Sequence, residues 1–203
     1  WNADGVIVFS PTATSGLARV NASGGEPSPL THLDSTRDET THRWATFLPD
    51  GNQFLFYSRA GRSGTSEEDV IYLGSLDESA PRILMHHNTN VAYARGHLLF
   101  VRENTLMAQP LNPDDGTIAG SPFPLAEDIS YDQRFNHAAF TASSEGTLCY
   151  LTGAGVVGTS LVWFDRQGRI LDTVGEVGFY RNCRLSPDGK RLAVDPTDAS
   201  GDN

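Results

Sequence analysis

Apolar and polar positions alternate along this chain in short bursts, and each burst ends at a tight turn. The clearest is Leu185-Ser186-Pro187-Asp188-Gly189-Lys190-Arg191-Leu192-Ala193-Val194. It predicts strand, turn, strand. Pro187 presets φ for the first corner, Asp188 can bond its own backbone, and Gly189 supplies φ > 0. Leu192 and Val194 then alternate with more tolerant positions, as a half-buried strand does. The same pattern occurs at Phe47-Leu48-Pro49-Asp50-Gly51-Asn52-Gln53-Phe54-Leu55-Phe56. No helical periodicity is sustained anywhere in the chain.

The turns recur at a fixed interval. Taking the turn glycine as marker, Gly5, Gly51, Gly96, Gly146 and Gly189 are 46, 45, 50 and 43 residues apart. Pro49 and Pro187 are 138 residues apart, three times 46. A β-strand repeat with this period is the signature of propeller blades. The expected fold is therefore all-β, a partial β-propeller. It would have four to five four-stranded antiparallel blades of a six- to eight-bladed ring, at 1–42, 43–89, 90–134, 135–179 and an incomplete 180–203. Leu55 and Phe56, adjacent and both apolar, fit sheets packed on both faces, so neighbouring blades must stack.

Within that frame the first blade has strands at 6–9, 17–20 and 29–31, followed by a polar loop over 32–42. The second has a hairpin of 44–48 and 53–58, a Gly/Ser-rich insert over 59–68 that predicts a mobile loop, and strands at 70–73 and 82–85. The third carries a worn turn at Ala94-Arg95-Gly96. Its strands are 90–93, 98–102 and 105–109, with an irregular outer strand containing Pro122 and Pro124, as suits a sheet edge. The fourth has strands at 135–141, 147–152, 161–164 and 169–174; the fifth has 182–185 and 191–194. The first repeat begins at its turn and the last stops half-way, so the chain is expected to be part of a longer protein.

Composition narrows the function. Fifteen basic against 25 acidic residues give a net charge of −10, with the acids scattered. That surface repels a phosphate backbone, which argues against nucleic-acid binding. The longest apolar runs, such as Gly5-Val6-Ile7-Val8-Phe9, are far too short to span a bilayer. Cys149 and Cys183 lie in strand-like apolar contexts outside any C-x-x-C pair, so zinc and a redox dithiol motif are not indicated. Two separate buried thiols and a disulfide both remain open.

The motifs of known chemistries are missing. There is no G-x-S-x-G elbow, no kinase glycine loop or catalytic loop, and no H-E-x-x-H pair among the six histidines. Asn112-Pro113-Asp114-Asp115-Gly116 has oxygen ligands but not the alternating spacing of a calcium loop, and predicts a hairpin turn. Trp44, Trp163, Phe47 and Phe164 fall at equivalent strand positions and predict packing between blades. No cofactor, no metal site and no catalytic residue is expected.

The Leu-Ser-Pro-Asp-Gly-Lys-Arg-Leu-Ala-Val stretch at 185–194 resembles the WD-repeat-like blades of TolB and its relatives. The phrases His42-Arg43-Trp44, Phe47-Leu48-Pro49-Asp50-Gly51, Leu106-Met107-Ala108-Gln109-Pro110 and Leu161-Val162-Trp163-Phe164-Asp165 resemble the extracytoplasmic TolB-like half of bacterial receptor-type serine/threonine kinases. The resemblance implies a propeller that binds a partner or senses a ligand, without chemistry of its own, on the periplasmic or extracytoplasmic side of a membrane. The partner would be a protein, a peptide or a small molecule. A second reading is the substrate-gating propeller of a prolyl-oligopeptidase or tricorn-type serine hydrolase. A third, a propeller enzyme with a central site, would need His42 or His137 to act.

Propellers bind on the face where loops enter the innermost strands. Here those loops carry Arg37, Asp38, Glu39, His42 and Asn90, then Tyr131, Asp132, Arg134, Asn136, Tyr180, Arg181 and Asn182. Mixed polar and aromatic residues suit recognition. The structural turns are assigned to Pro49, Asp50 and Gly51, and to Pro187, Asp188 and Gly189.

Overall fold

The computed structural model describes residues 1–61, 68–77, 80–132, 135–153, 159–165, 167–186, 189 and 191–197. Among these there is no α-helix; the one helical element is a 3₁₀ turn, Ser35–Arg37. The chain forms two compact units, Trp1–Val91 with Pro110–Gly120, and Ala92–Gln109 with Ser121–Asn203.

In the first unit, β1 (Val6–Phe9), β2 (Ala18–Asn21) and β3 (Ser28–Pro29) form a three-stranded antiparallel sheet. A four-stranded sheet follows in simple up-and-down order: β4 (Glu39–Phe47), β5 (Gln53–Ala60), β6 (Val70–Ser75) and β7 (Arg82–His86). Alternation sorts its side chains. Phe54, Phe56, Val70 and Tyr72 pack with Val8, Leu17 and Leu30 of the first sheet. Leu55, Tyr57, Ile71 and Leu73, on the opposite face, are buried as well. Each fully buried aromatic or aliphatic side chain of this kind contributes about 1.5–3 kcal/mol.

Next come β8 (Ala92–Ala94), β9 (His97–Arg102), β10 (Thr105–Asn112), β11 (Thr117–Ile118) and β12 (Phe123–Ala126). The order is β11-β10-β9-β8, with β12 also on β10. The irregular outer strand containing Pro122 and Pro124 is here two short pieces on one neighbour. Leu99, Val101, Leu106 and Ala108 pack with Ile129, Ala138 and Phe140 as a core of the second unit. That unit continues with β13 (Tyr131–Asp132), β14 (His137–Ala138), β15 (Phe140–Ala142), β16 (Leu148–Tyr150), β17 (Thr159–Phe164), β18 (Ile170–Leu185) and β19 (Leu192–Thr197).

The predicted hairpin turns share one geometry. The Gly51 amide donates to the Leu48 carbonyl at 3.0 Å, and the Leu48 amide to the Gln53 carbonyl at 2.8 Å. The same pair recurs between Gly189 and Ser186 at 2.8 Å, and Ser186 and Arg191 at 2.9 Å. Gly51 and Gly189 have φ of +70° and +66°, the left-handed conformation the sequence requires of them. Pro187 and Asp188 lie outside the described residues.

Five expectations are corrected. The loop predicted over 32–42 ends at Asp38, and β4 begins at Glu39. The strand 29–31 is reduced to Ser28–Pro29. The third marker, Gly96, is not a worn copy of the others. Arg95 (φ +48°) and Gly96 (φ +79°) make a two-residue hairpin joining Ala94 and His97, as two consecutive positive φ values demand. The strands predicted at 169–174 and 182–185 are one strand, β18, whose first half pairs with β17 and second half with β19. Finally, β15–β16 and β17–β18–β19 are separate hydrogen-bonded sheets among the described residues. The Gly/Ser-rich insert falls largely on 62–67, outside the described residues, while Arg59 and Ala60 extend β5.

Candidate functional site

A buried polar cluster stands where the sequence placed a loop. Asp34 caps the 3₁₀ turn, its Oδ1 accepting from the Thr36 amide at 2.8 Å and the Thr36 hydroxyl at 2.6 Å. Asp38, with φ +51°, reverses the chain and delivers Glu39 to the start of β4. The Glu39 carboxylate accepts from the Tyr72 hydroxyl at 2.8 Å, the Asp34 amide at 2.8 Å and His42 Nε2 at 2.9 Å. The Arg37 guanidinium stands 3.7 Å away. Burial alone would raise the Glu39 carboxyl, but the bonds from His42, the Asp34 amide and Tyr72 outweigh it and hold it down at about 2. Tyr72 is pushed up to about 12 by burial and by its bond to that carboxylate.

With Glu39 ionised, the His42 proton sits on Nε2. Nδ1 is then free to accept from the Thr31 hydroxyl, 2.8 Å away. Thr31 Oγ1 in turn accepts the Leu17 amide at 2.8 Å. The His42 ring lies 4.8 Å from that of Phe56, which stacks on Tyr72 at 5.2 Å. The relay Thr31–His42–Glu39 has the residue types of a nucleophile, base and acid. The His42 and Glu39 side chains are each 1% exposed. What the relay does is join the first sheet, through Leu17 and Thr31, to the second, through His42, Glu39 and Tyr72.

The other predicted recognition residues fall in both units. Arg37 is half-buried and donates to the Glu68 carbonyl at 3.1 Å. Asn90 is buried, its carbonyl accepting from the Thr89 hydroxyl at 3.0 Å. In the second unit the Tyr131 hydroxyl donates to Asn136 Oδ1 at 3.1 Å, and the Tyr180 hydroxyl donates to the Glu176 carbonyl at 2.7 Å. Arg134 and the side chains of Arg181 and Asn182 lie outside the described residues. His137 is buried, and burial, with the Arg184 charge adding to it against Asp132, holds its imidazole down at about 4.

Sequence reasoning picked Arg37, Glu39 and His42 and missed Thr31, Asp34 and Tyr72. It also missed Asp69, a buried carboxylate that accepts the Tyr57 hydroxyl at 2.6 Å and the Ala60 amide at 3.0 Å. Among the described residues no three histidine, cysteine or carboxylate side chains gather as metal ligands, and no helix is long and apolar enough to cross a membrane.

No family model and no curated protein matches the chain. Solved structures do. The nidogen/laminin complex aligns with 96% of this chain and 69% of its own at TM-score 0.56 and 15% identity. A puromycin-hydrolysing peptidase of Mycobacterium tuberculosis aligns at TM-score 0.57 and 15% identity, over 96% of this chain and 44% of its own. An oligogalacturonate lyase in complex with manganese aligns at 0.53 and 12%, over 98% and 57%. These neighbours are β-propeller proteins. The fold is a partial β-propeller. The chain spans 44% and 57% of the length of the latter two structures, and identities this low carry the fold of the propeller alone.

Proposed function

We propose that this propeller is a non-catalytic binding or sensing module of a larger bacterial, envelope-associated protein. Its strongest support is the fate of the polar side chains: the Thr31–His42–Glu39–Tyr72 relay is consumed in joining two sheets and leaves no exposed acid–base pair there. The TolB-like phrases around Asp50-Gly51 and Asp188-Gly189 favour the extracytoplasmic sensor half of a receptor-type serine/threonine kinase. The ligand would be a protein, peptide or small molecule on the loop face.

The likeness to a puromycin-hydrolysing peptidase favours a second reading, the gating propeller of a serine hydrolase whose catalytic domain lies elsewhere in the parent protein. The complete reading frame separates the two. A membrane span with kinase motifs supports the sensor, whereas a G-x-S-x-G elbow on a strand–turn–helix supports the hydrolase. A turnover assay of this chain with puromycin and with oligogalacturonate plus manganese should show no reaction. Turnover that tracks the chain through purification would overturn the non-catalytic reading.

A further inference from the structure

Cys149 and Cys183 are the only cysteines in the chain. Cys149 sits on β16, opposite Thr141 of β15. Cys183 sits on the second half of β18, opposite Val194 of β19. The two strands belong to different hydrogen-bonded sheets, yet the sulfurs are 4.0 Å apart. Both are reduced and buried, at 2% and 4% exposure. They share one apolar cluster with Ala139, Leu151 and Leu161, against which Val174, Tyr180 and Leu192 pack.

We propose that Cys149 and Cys183 are a disulfide site, and that oxidation joins the β15–β16 sheet to the β18–β19 pair by a covalent staple. The sulfurs are already in van der Waals contact with nothing between them. Bond formation requires them to close from 4.0 Å to about 2.05 Å, by side-chain rotation and a small approach of the two sheets. The contact with Cys183 and burial hold the Cys149 thiol above the usual thiol range.

The oxidant is a disulfide, such as glutathione disulfide. One of the two protein thiols, as its thiolate, attacks one of the oxidant's sulfurs, expelling one glutathione thiolate and leaving a mixed disulfide on that cysteine. The other cysteine then loses its proton to that thiolate and attacks the first cysteine's Sγ, expelling the second glutathione. Two protein thiols are oxidised and one glutathione disulfide is reduced to two thiols. Because both sulfurs are buried, exchange proceeds while the chain folds or when β18 and β19 open locally.

The test is to refold the chain in excess glutathione disulfide and, separately, in a phosphine reductant, then compare intact mass, non-reducing peptide maps and Tm. The oxidised monomer should weigh about 2 Da less, as two lost hydrogens require. Its map should link Cys149 to Cys183. Its Tm should rise by about 10 °C, since the bond closes a loop over the 34 positions between them. Cys149→Ser and Cys183→Ser should each abolish the oxidant-dependent rise. The wild-type comparison needs neither variant to fold. A wild-type chain that keeps both thiols in excess oxidant overturns the site. So do disulfide-linked dimers in place of the monomeric bridge, or a bridged monomer whose Tm does not exceed that of the reduced form.

Discussion

The carboxamide of Asn2 donates through Nδ2 to the Gly51 carbonyl at 2.7 Å, bridging two successive turns of the repeat 49 residues apart. The same side chain closes its own turn, Oδ1 accepting the Val6 amide at 2.7 Å. Asn2 is buried, while its partners Gly51 and Val6 are half-buried. A related contact recurs in the second unit. Ser143 Oγ takes the Thr147 amide at 3.1 Å, and the same atom lies 3.8 Å from where a side chain on Gly189 would begin. At these two steps the neighbouring turns meet through the residue three positions before the first glycine, Asn2 before Gly5 and Ser143 before Gly146. Asn2→Ala should destabilise the fold by about 1 kcal/mol, because it removes two hydrogen bonds and leaves a half-buried amide and carbonyl without that partner. Asn2→Asp should restore the bond to Val6 but not the bond to Gly51, and should fall between the two in urea titrations. Equal midpoints for Asn2→Ala and wild type would refute the bridging role.

Glycine substitutions separate backbone strain from crowding. At Gly51 and Gly189 the nearest atoms to an added Cβ are 3.8 Å away, so the cost of Gly51→Val or Gly189→Val is conformational, about 1–2 kcal/mol each. Gly74 has an ordinary φ, but a Cβ there would stand 2.9 Å from Phe54 Cζ and 3.1 Å from Phe56 Cε1, both in the core. Gly74→Ala should therefore cost about 1–3 kcal/mol through overpacking. Thermal melts of the three variants check the assignment; an unchanged Tm for Gly74→Ala would mean the two rings can yield.

Much of this architecture is legible in the chain because turn chemistry is local. Pro49-Asp50-Gly51 specifies its bend without reference to anything distant, and the second sheet follows strand by strand. The polar relay is opaque for the opposite reason. Glu39 and His42 are polar residues in a polar stretch, and only partners such as Thr31 and Tyr72 turn them into a strand terminus with a buried face. Gly96 shows a subtler limit: its spacing fits the repeat, but Arg95 also takes positive φ, and periodicity carries no information on turn type. The length of β18 escaped notice because Gly175 and Gly178 look like breaks, whereas here Gly175, with φ +71°, lies within the strand.

His137 sets the upper edge of acid sensitivity. Its ordinary value is 6.5, and in the folded chain burial holds it at about 4. Between those values the unfolded chain binds a proton that the folded chain refuses, so stability falls as pH falls through this window. The loss should approach 3 kcal/mol on the order of magnitude set by the shift. His137→Gln should flatten the stability profile between about pH 6.5 and 4. Denaturant midpoints across that range test it, and a profile unchanged by the substitution would remove His137 as the cause.

Glu39 governs a lower window with a different partner set. Its carboxyl titrates at 4.5 in the ordinary case and at about 2 in the fold. Above the ordinary value both states are ionised and the stabilisation from His42, the Asp34 amide and Tyr72 is fully present. As pH falls from 4.5 towards 2, the unfolded chain takes up its proton first, and that stabilisation is progressively lost. The amount is on the order of 2–3 kcal/mol. Glu39→Gln can keep the bond from Tyr72 but cannot hold the charge, so it should lower stability at neutral pH and remove the acid slope below 4.5. Tyr72→Phe should weaken the fold by about 1.5–3 kcal/mol, as expected for a hydrogen bond to a charged group, while leaving most of the slope intact. If Glu39→Gln kept the wild-type slope, the relay would not be the element that fastens β4 and Tyr72 to the first sheet, and the bonds drawn at Thr31 and His42 would have to be reassigned.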